Sequence, residues 1–296
     1  MEPTHDVNPF VAADAEDRRD QELVQAARAG DAAALEGLVL RHQRFLYNLA
    51  ARMLYGRPEA EDAAQEILVK ALTGLARFEG RSPFRIWLYR IATNHLLNLR
   101  RTRREELVGF ESVAAGLAGA EDGALPDPGL VPADVQLLVE EAKLGCTAAM
   151  LLCLDRAQRL VYVLGEILGA SDAVAAEVLE IDRDAFRQRL SRARRELHGF
   201  MNERCGLVNP ENPCRCARKT RAFIRVGWVD PANLKFAGAR VRQVHEVAAR
   251  SAPALPGYHG LCAELHRAHP FHEPGAVAAR LREVMATARF RETFGV

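Results

Sequence analysis

Apolar residues recur at three- and four-residue intervals through most of this chain, broken by short polar stretches, and that spacing predicts helices. Asp20–Ala29 reads as a first helix closed by Gly30, with Asp31 placed to cap the next. That second helix carries Leu35, Leu38, Val39, His42, Phe45, Leu46, Leu49 and Met53 on one face. Gly56-Arg57-Pro58 breaks it, and Pro58 opens a third helix where proline is tolerated. There Ile67, Leu68, Ala71, Leu72 and Leu75 face a core, while Asp62, Gln65, Glu66 and Val69 share one flank. A fourth helix spans Phe84–Arg101. Its apolar stripe is Phe84, Leu88, Ile91, Ala92, His95 and Leu99, and a separate face holds Trp87, Arg90, Asn94, Asn98 and Arg101.

Beyond residue 104 the pattern changes. Residues 105–141 contain five glycines and three prolines, with nine acids and no Lys or Arg. This composition predicts a mainly extended acidic linker, with a short helix entering at Pro132. Helical spacing returns at residue 142, with Leu160, Val161, Leu164, Ile167 and Leu168 on one face. Ser171 caps a short helix ending near Leu179, a tight turn follows at Glu180–Asp182, and a longer helix runs from Arg183 to Phe200 with Phe186, Leu190, Ala193 and Leu197 inward. Short helix, tight turn and longer basic helix make the helix-turn-helix pattern. Its outward face offers Arg187, Gln188, Ser191, Arg192 and Arg195. Arg and Gln can read base edges in the major groove, while the others clamp phosphates; an ordinary helical hairpin with a solvated face is the alternative. Residues 232–250 and 273–292 read as further helices.

The expected fold is therefore all-α. A flexible tail (1–18) precedes a helical domain (19–104), an acidic linker (105–141), a second helical domain (142–204) and a helical, Cys-containing C-terminal extension (205–296). A chain of 296 residues has room for two or three domains.

Charge sharpens this division. The net charge is only +1, but Arg77–Arg104 holds eight arginines against one acid, Glu79. The 206–296 stretch has fourteen basic residues against seven acids. Basic blocks apart from an acidic one suggest a polyanionic partner. In Arg77–Arg104 the arginines alternate with Phe78, Phe84, Trp87 and Tyr89. Unpaired bases stack on flat rings and phosphates pair with guanidinium groups, so this helix is a candidate single-strand contact. Trp87 either stacks on DNA or anchors the helix in the core.

No run of about eighteen apolar residues is present and the N-terminus lacks a signal peptide's apolar core, so a cytoplasmic protein without membrane insertion is expected. Six cysteines in that compartment stay reduced and point to metal or redox roles rather than disulfides. Cys205, Cys214 and Cys216 lie close together, and His198 precedes them by about two helical turns. Three thiols and an imidazole can complete a tetrahedral zinc site, although C-x8-C-x-C is not a usual zinc-knuckle spacing. A second cluster holds His259, Cys262, His266, His269 and His272, while Cys146 and Cys153 read as core. No nucleophile–base pairing or phosphate-cradling glycine loop is visible, so an enzyme is not expected.

Three stretches resemble bacterial RNA polymerase sigma factors of the extracytoplasmic-function (ECF) group in the sigma-70 family. AEDAAQEILVKAL (60–72) is similar to the family's polymerase-binding helix. FEGRSPFRIWLYRIATNHLLNLRR (78–101) is similar to its promoter-melting and −10-reading segment, and residues 154–197 to its −35-binding domain. The resemblance implies a protein without chemistry of its own that requires no cofactor. It binds core RNA polymerase, directs it to promoter DNA and helps open the −10 region. On that likeness Asp62, Gln65, Glu66 and Val69 dock on polymerase. Phe78, Arg81, Ser82, Arg85, Trp87, Arg90, Asn94, Asn98 and Arg101 meet the opened strand, with Asn94 and the Phe78–Pro83 loop reading bases. The helix-turn-helix face meets the −35 element, the acidic linker threads the polymerase's RNA path, and an anti-sigma factor is a further candidate partner. Two departures stand out: Glu180 occupies the turn position where the family carries glycine, and Ala-Val-Ala-Ala (173–176) replaces a bulkier signature. The competing expectation is a stand-alone helix-turn-helix regulator, metal- or redox-responsive through the C-terminal cysteines.

Overall fold

A computed structural model describes residues 10, 14–101, 103–119, 133–225, 227–231, 234, 258–267, 269 and 282–283. Among them every regular element is helical, in agreement with the all-α expectation. In order these are α1 Asp14–Arg28, α2 Ala32–Leu54, α3 Arg57–Gly74, a 3-10 turn Leu75–Arg77, α4 Phe84–Asn98, α5 Arg103–Leu107, α6 Phe110–Gly119, α7 Ala133–Leu151, α8 Arg156–Tyr162, a π-turn Val163–Ile167, α9 Asp172–Leu179, α10 Arg183–Arg204, α11 Cys216–Arg225 and α12 Tyr258–Arg267. The helices expected at 232–250 and 273–292 lie outside the described residues, apart from residues 234 and 282–283.

The described residues fall into two compact units. One lies within Met1–Arg100, Val163–Gln188 and Phe271–Val296, the other within Arg101–Tyr162 and Arg189–Pro270. In the first, α2 packs along α3, and both meet α4. Leu35, Leu46, Leu49, Met53, Ile67 and Leu96 are fully enclosed. All but Leu96 lie on the faces that the periodicity predicts, since residues three and four apart share one helix face. Asp31 caps α2 as expected, its carboxylate accepting from the Ala33 and Ala34 N–H groups at 2.8 and 3.2 Å. α1 is tied to α2 through the buried Asp20, which accepts from Arg41 Nε at 2.8 Å and lies 3.0 Å from His42 Nε2. Burial pushes the Asp20 carboxyl up, but the hydrogen bonds and charges of His42 and Arg41 outweigh it and hold it below the usual carboxylate range.

In the second unit, α11 and α12 both pack against α7. The stretch expected to be mainly extended is corrected here. α6 forms within it and buries Val113 and Leu117, while the Phe110 ring packs at a tilt against Phe200 with centroids 5.0 Å apart. Three glycines in the α6 neighbourhood hid this helix from a composition reading, yet Phe110, Val113 and Leu117 are spaced at i, i+3 and i+7. Glu105 is likewise not a solvated linker acid. It is buried and bonded to Arg156 and Arg159.

Candidate nucleic-acid interface

α4 begins after Pro83, whose carbonyl accepts from the Ile86 and Trp87 N–H groups. Gly80 precedes it with φ of 72°, a left-handed turn that suits glycine. The loop is held from behind by Arg28, which donates to the Phe78 carbonyl at 3.3 Å. Phe78, Phe84 and Trp87 form one aromatic cluster with ring centroids 5.1 to 5.7 Å apart. Phe78 is buried and Trp87 half-buried. Between the two roles left open for Trp87, this geometry favours the anchor.

Two expected DNA contacts are corrected. Phe78 belongs to the core, and Arg85 is buried with its guanidinium bonded to Asp17, Nε to Oδ1 at 2.6 Å and Nη2 to Oδ2 at 3.3 Å. The exposed members of the expected set are Arg81, Asn94, Asn98 and Arg101, with Ser82 half-buried. Asn98 Nδ2 donates to the Asn94 carbonyl at 2.8 Å, and Arg81 pairs with Glu79. Arg90 is half-buried and donates to the Glu177 carbonyl at 3.0 Å and to its Oε1 at 3.2 Å, where α9 packs against α4. Neither Asp17 nor Glu177 was flagged by spacing, because both lie far away in sequence.

The four residues expected to dock on polymerase lie along α3. Asp62 and Glu66 are exposed, and Gln65 and Val69 are half-buried beside the enclosed Ile67 and Leu68. His95 of α4 lies behind this flank. Lys70 Nζ donates to its Nδ1 at 2.6 Å, and Glu66 Oε2 is 3.7 Å from its Nε2. Burial first, and the Lys70 charge second, lower the His95 pKa against the pull of Glu66. A neutral imidazole accepting from an ammonium fits that direction.

The helix-turn-helix forms as its sequence predicts. Ser171 Oγ accepts from the Val174 N–H at 3.3 Å, and Asp182 accepts from the Ala185 N–H at 2.7 Å to open α10. Glu180 adopts φ 54° and ψ 41°, the left-handed cap that glycine usually fills, and donates its N–H to the α9 carbonyls. Left-handed backbone costs an L-residue about 1–2 kcal/mol, part of which glycine's extra freedom in the unfolded chain offsets. Glu180→Gly is therefore expected to stabilise the protein by about 0.5–1 kcal/mol in thermal unfolding; a lower Tm would mean the Glu180 side chain contributes contacts that outweigh the strain. Gln188, Ser191, Arg192 and Arg195 are exposed on α10. Arg187 is exposed too, but its guanidinium is held by Asp172 and Asp184.

The cysteine expectation changes in one member. His198 Nε2 lies 2.9 Å from the Tyr162 hydroxyl, and Tyr162 in turn is 3.3 Å from His266 Nδ1, so His198 belongs to a buried Tyr–His network. Cys146 is buried in the core as expected, and it also lines the same cavity as Cys205, Cys214 and Cys216. Burial pushes the Cys146, Cys205 and Cys216 thiols up. Of the second cluster, Cys262 is buried one helical turn before His266, whose Nδ1 is 2.8 Å from the Cys262 carbonyl. His269 meets Thr147 Oγ1 at 2.6 Å. The side chains of His259 and His272 lie outside the described residues.

The Sigma-70 region 2 family matches residues 38–106, which span α3, the aromatic loop and α4. The RNA polymerase sigma factor CnrH of Cupriavidus metallidurans is 32% identical over 190 residues, covering 62% of this chain and 94% of CnrH. The ECF RNA polymerase sigma-E factor of Haemophilus influenzae is 30% identical over 186 residues, covering 61% of this chain and 94% of its own length. The RNA polymerase sigma-H factor of Pseudomonas aeruginosa is 42% identical over 80 residues, which are 27% of this chain and 42% of that factor. A solved structure of CnrH in complex with the cytosolic domain of CnrY superposes with a TM-score of 0.40 at 28% identity, covering 62% of this chain and 97% of that one. At 32% and 30% identity over 94% of CnrH and of the H. influenzae factor, the chain belongs to the ECF RNA polymerase sigma factors.

Proposed function

We propose that this chain binds core RNA polymerase, directs it to promoter DNA and helps open the −10 region, working in the cytoplasm and without catalysis of its own. The observation that carries this reading is the pairing of α3 and α4 around one core. One helix presents the exposed carboxylates of Asp62 and Glu66, and its neighbour presents the exposed Asn94 and Asn98, with the exposed Arg101 three residues past its end. Carboxylates suit a basic protein surface. The amide groups can hydrogen-bond the edge of an unstacked base, and Arg101 can hold a phosphate. Opening a duplex costs stacking and pairing energy, and capture of a displaced base offsets it. A stand-alone duplex binder would have no use for the α3 flank. Among the described residues, no helix is long and apolar enough to cross a membrane.

The test is transcription in vitro with core polymerase on a genomic promoter library, followed by the Asn94→Ala variant on the promoters found. Loss of a base-edge hydrogen bond is expected to reduce open-complex formation by about tenfold, with core binding unchanged. Equal loss of core binding and opening would remove Asn94 from strand recognition. Failure of the wild-type chain to bind core polymerase at all would favour the stand-alone regulator.

A further inference from the structure

Four cysteines from three separate segments converge in the second unit. Cys146 comes from α7, Cys205 directly follows α10, and Cys214 and Cys216 flank the start of α11. All four line one cavity of about 10 Å³. That is about the space of a single water-sized occupant and too small for an organic ligand. Cys205 and Cys146 are buried, and Cys214 and Cys216 half-buried.

The connecting loop is built to hold this convergence. A Cβ added at Gly206 would sit 2.1 Å from the Cys214 carbonyl oxygen, so only glycine lets the two cysteine segments approach so closely. Asn212 Nδ2 donates to the Asn202 carbonyl at 2.9 Å and to the Cys205 carbonyl at 3.2 Å. Asn209 Nδ2 reaches the same Asn202 carbonyl at 3.3 Å, and Arg215 closes the loop onto the Pro210 carbonyl at 2.8 Å. Nearly every polar residue between Cys205 and Cys216 thus folds the loop over the cavity.

We propose that Cys146, Cys205, Cys214 and Cys216 form a structural site for a thiophilic divalent cation of the zinc class. Thiolate-rich sets select such ions, and four protein ligands with no open position are the pattern of a structural rather than a catalytic site. Four thiols binding one divalent ion release four protons and leave a centre of charge −2. Lys143 and Lys219 line the same cavity and offset that charge, although Lys143 is also paired with Glu140. Among the described residues no group of three or more His, Cys, Asp or Glu could hold a metal ion with the side chains as they stand. Loading therefore requires side-chain rotations that bring the sulfurs inward.

The full chain, purified reduced and metal-free, should be titrated anaerobically with Co2+ alone. One equivalent is expected to produce thiolate-to-cobalt charge-transfer bands and the intense d–d absorption of a tetrahedral thiolate centre, bleached by one equivalent of Zn2+. Cys146→Ser is expected to weaken Co2+ binding at least tenfold and reduce the charge-transfer intensity. Cys153→Ser, outside the cavity, should match the wild type. If Cys146→Ser does not fold, the half-exposed Cys214 gives the same test as Cys214→Ser. No thiolate band from a chain with native helical circular dichroism overturns the proposal. So does Cys146→Ser binding like the wild type, or recovery of a disulfide among the four cysteines in place of metal.

Discussion

Glu105→Ala is expected to destabilise the second unit by about 3–5 kcal/mol. The carboxylate is buried, with both oxygens engaged: Oε1 accepts from Arg156 Nε at 3.0 Å and Arg159 Nη1 at 2.8 Å, and Oε2 from Arg156 Nη2 at 2.6 Å. Arg159 is almost wholly enclosed and spends its remaining donors on carbonyls at the α7–α8 junction, those of Leu151, Leu152 and Leu154. Burial lowers the Arg159 pKa despite Glu105, the signature of a charge that tolerates its site because a counter-charge is present. Removing Glu105 leaves two buried guanidinium groups facing an apolar hole. Truncating one partner of such a pair costs far more than the pair's net contribution, because the uncompensated charge stays behind. The neighbouring exposed Glu106→Ala should lie within about 0.5 kcal/mol of the wild type. Urea unfolding of both variants decides it, and a loss under about 1 kcal/mol for Glu105→Ala would mean that water reaches the guanidinium groups.

Glu105 also illustrates what the sequence could and could not convey. Its place in an uninterrupted acidic stretch argued for solvation, and nothing local signals that Arg156 and Arg159 lie across from it. Periodicity fixed the faces of α2, α3 and α10 well, because burial by helix face is a local property of spacing, whereas the buried side of α4 also takes in Ile86, Tyr89 and Leu96 and leaves Ile91 half-buried. Caps were equally readable at Asp31 and Ser171, where the accepting side chain and the N–H that donates to it sit within three residues. Partner identity is not local. Arg85 sat in a basic run and read as a phosphate contact, yet Asp17, sixty-eight positions earlier, claims it. His198 has the right spacing for the cysteine cluster, but Tyr162 takes its Nε2. Cys146 looked like any apolar-flanked thiol, but α11 packs against α7 and the cavity there is lined by Cys205, Cys214 and Cys216 as well. Within the stretches that carry the resemblance, packing sorts residues into core and surface.

That sorting divides the arginines of the α4 region into two kinds. Arg85→Ala is expected to lower stability by about 2–3 kcal/mol, since it leaves Asp17 without its charged, two-point hydrogen-bond partner and removes a packed aliphatic stem from the core. Asp17 retains some solvent exposure, which keeps the loss below that for Glu105. Arg101, exposed just past α4, is the opposite case. Arg101→Ala should leave stability within about 0.5 kcal/mol and weaken binding to all promoter sequences alike. A phosphate contact releases a counterion, so the slope of log affinity against log salt should fall by about one for Arg101→Ala. For Arg85→Ala, assayed at a temperature where the variant remains folded, the slope should be unchanged. The measurement pairs thermal unfolding with promoter binding by the holoenzyme across a salt series. A reduced slope for Arg85→Ala with no loss of stability would return Arg85 to the DNA surface and mean that Asp17 releases it when the promoter binds.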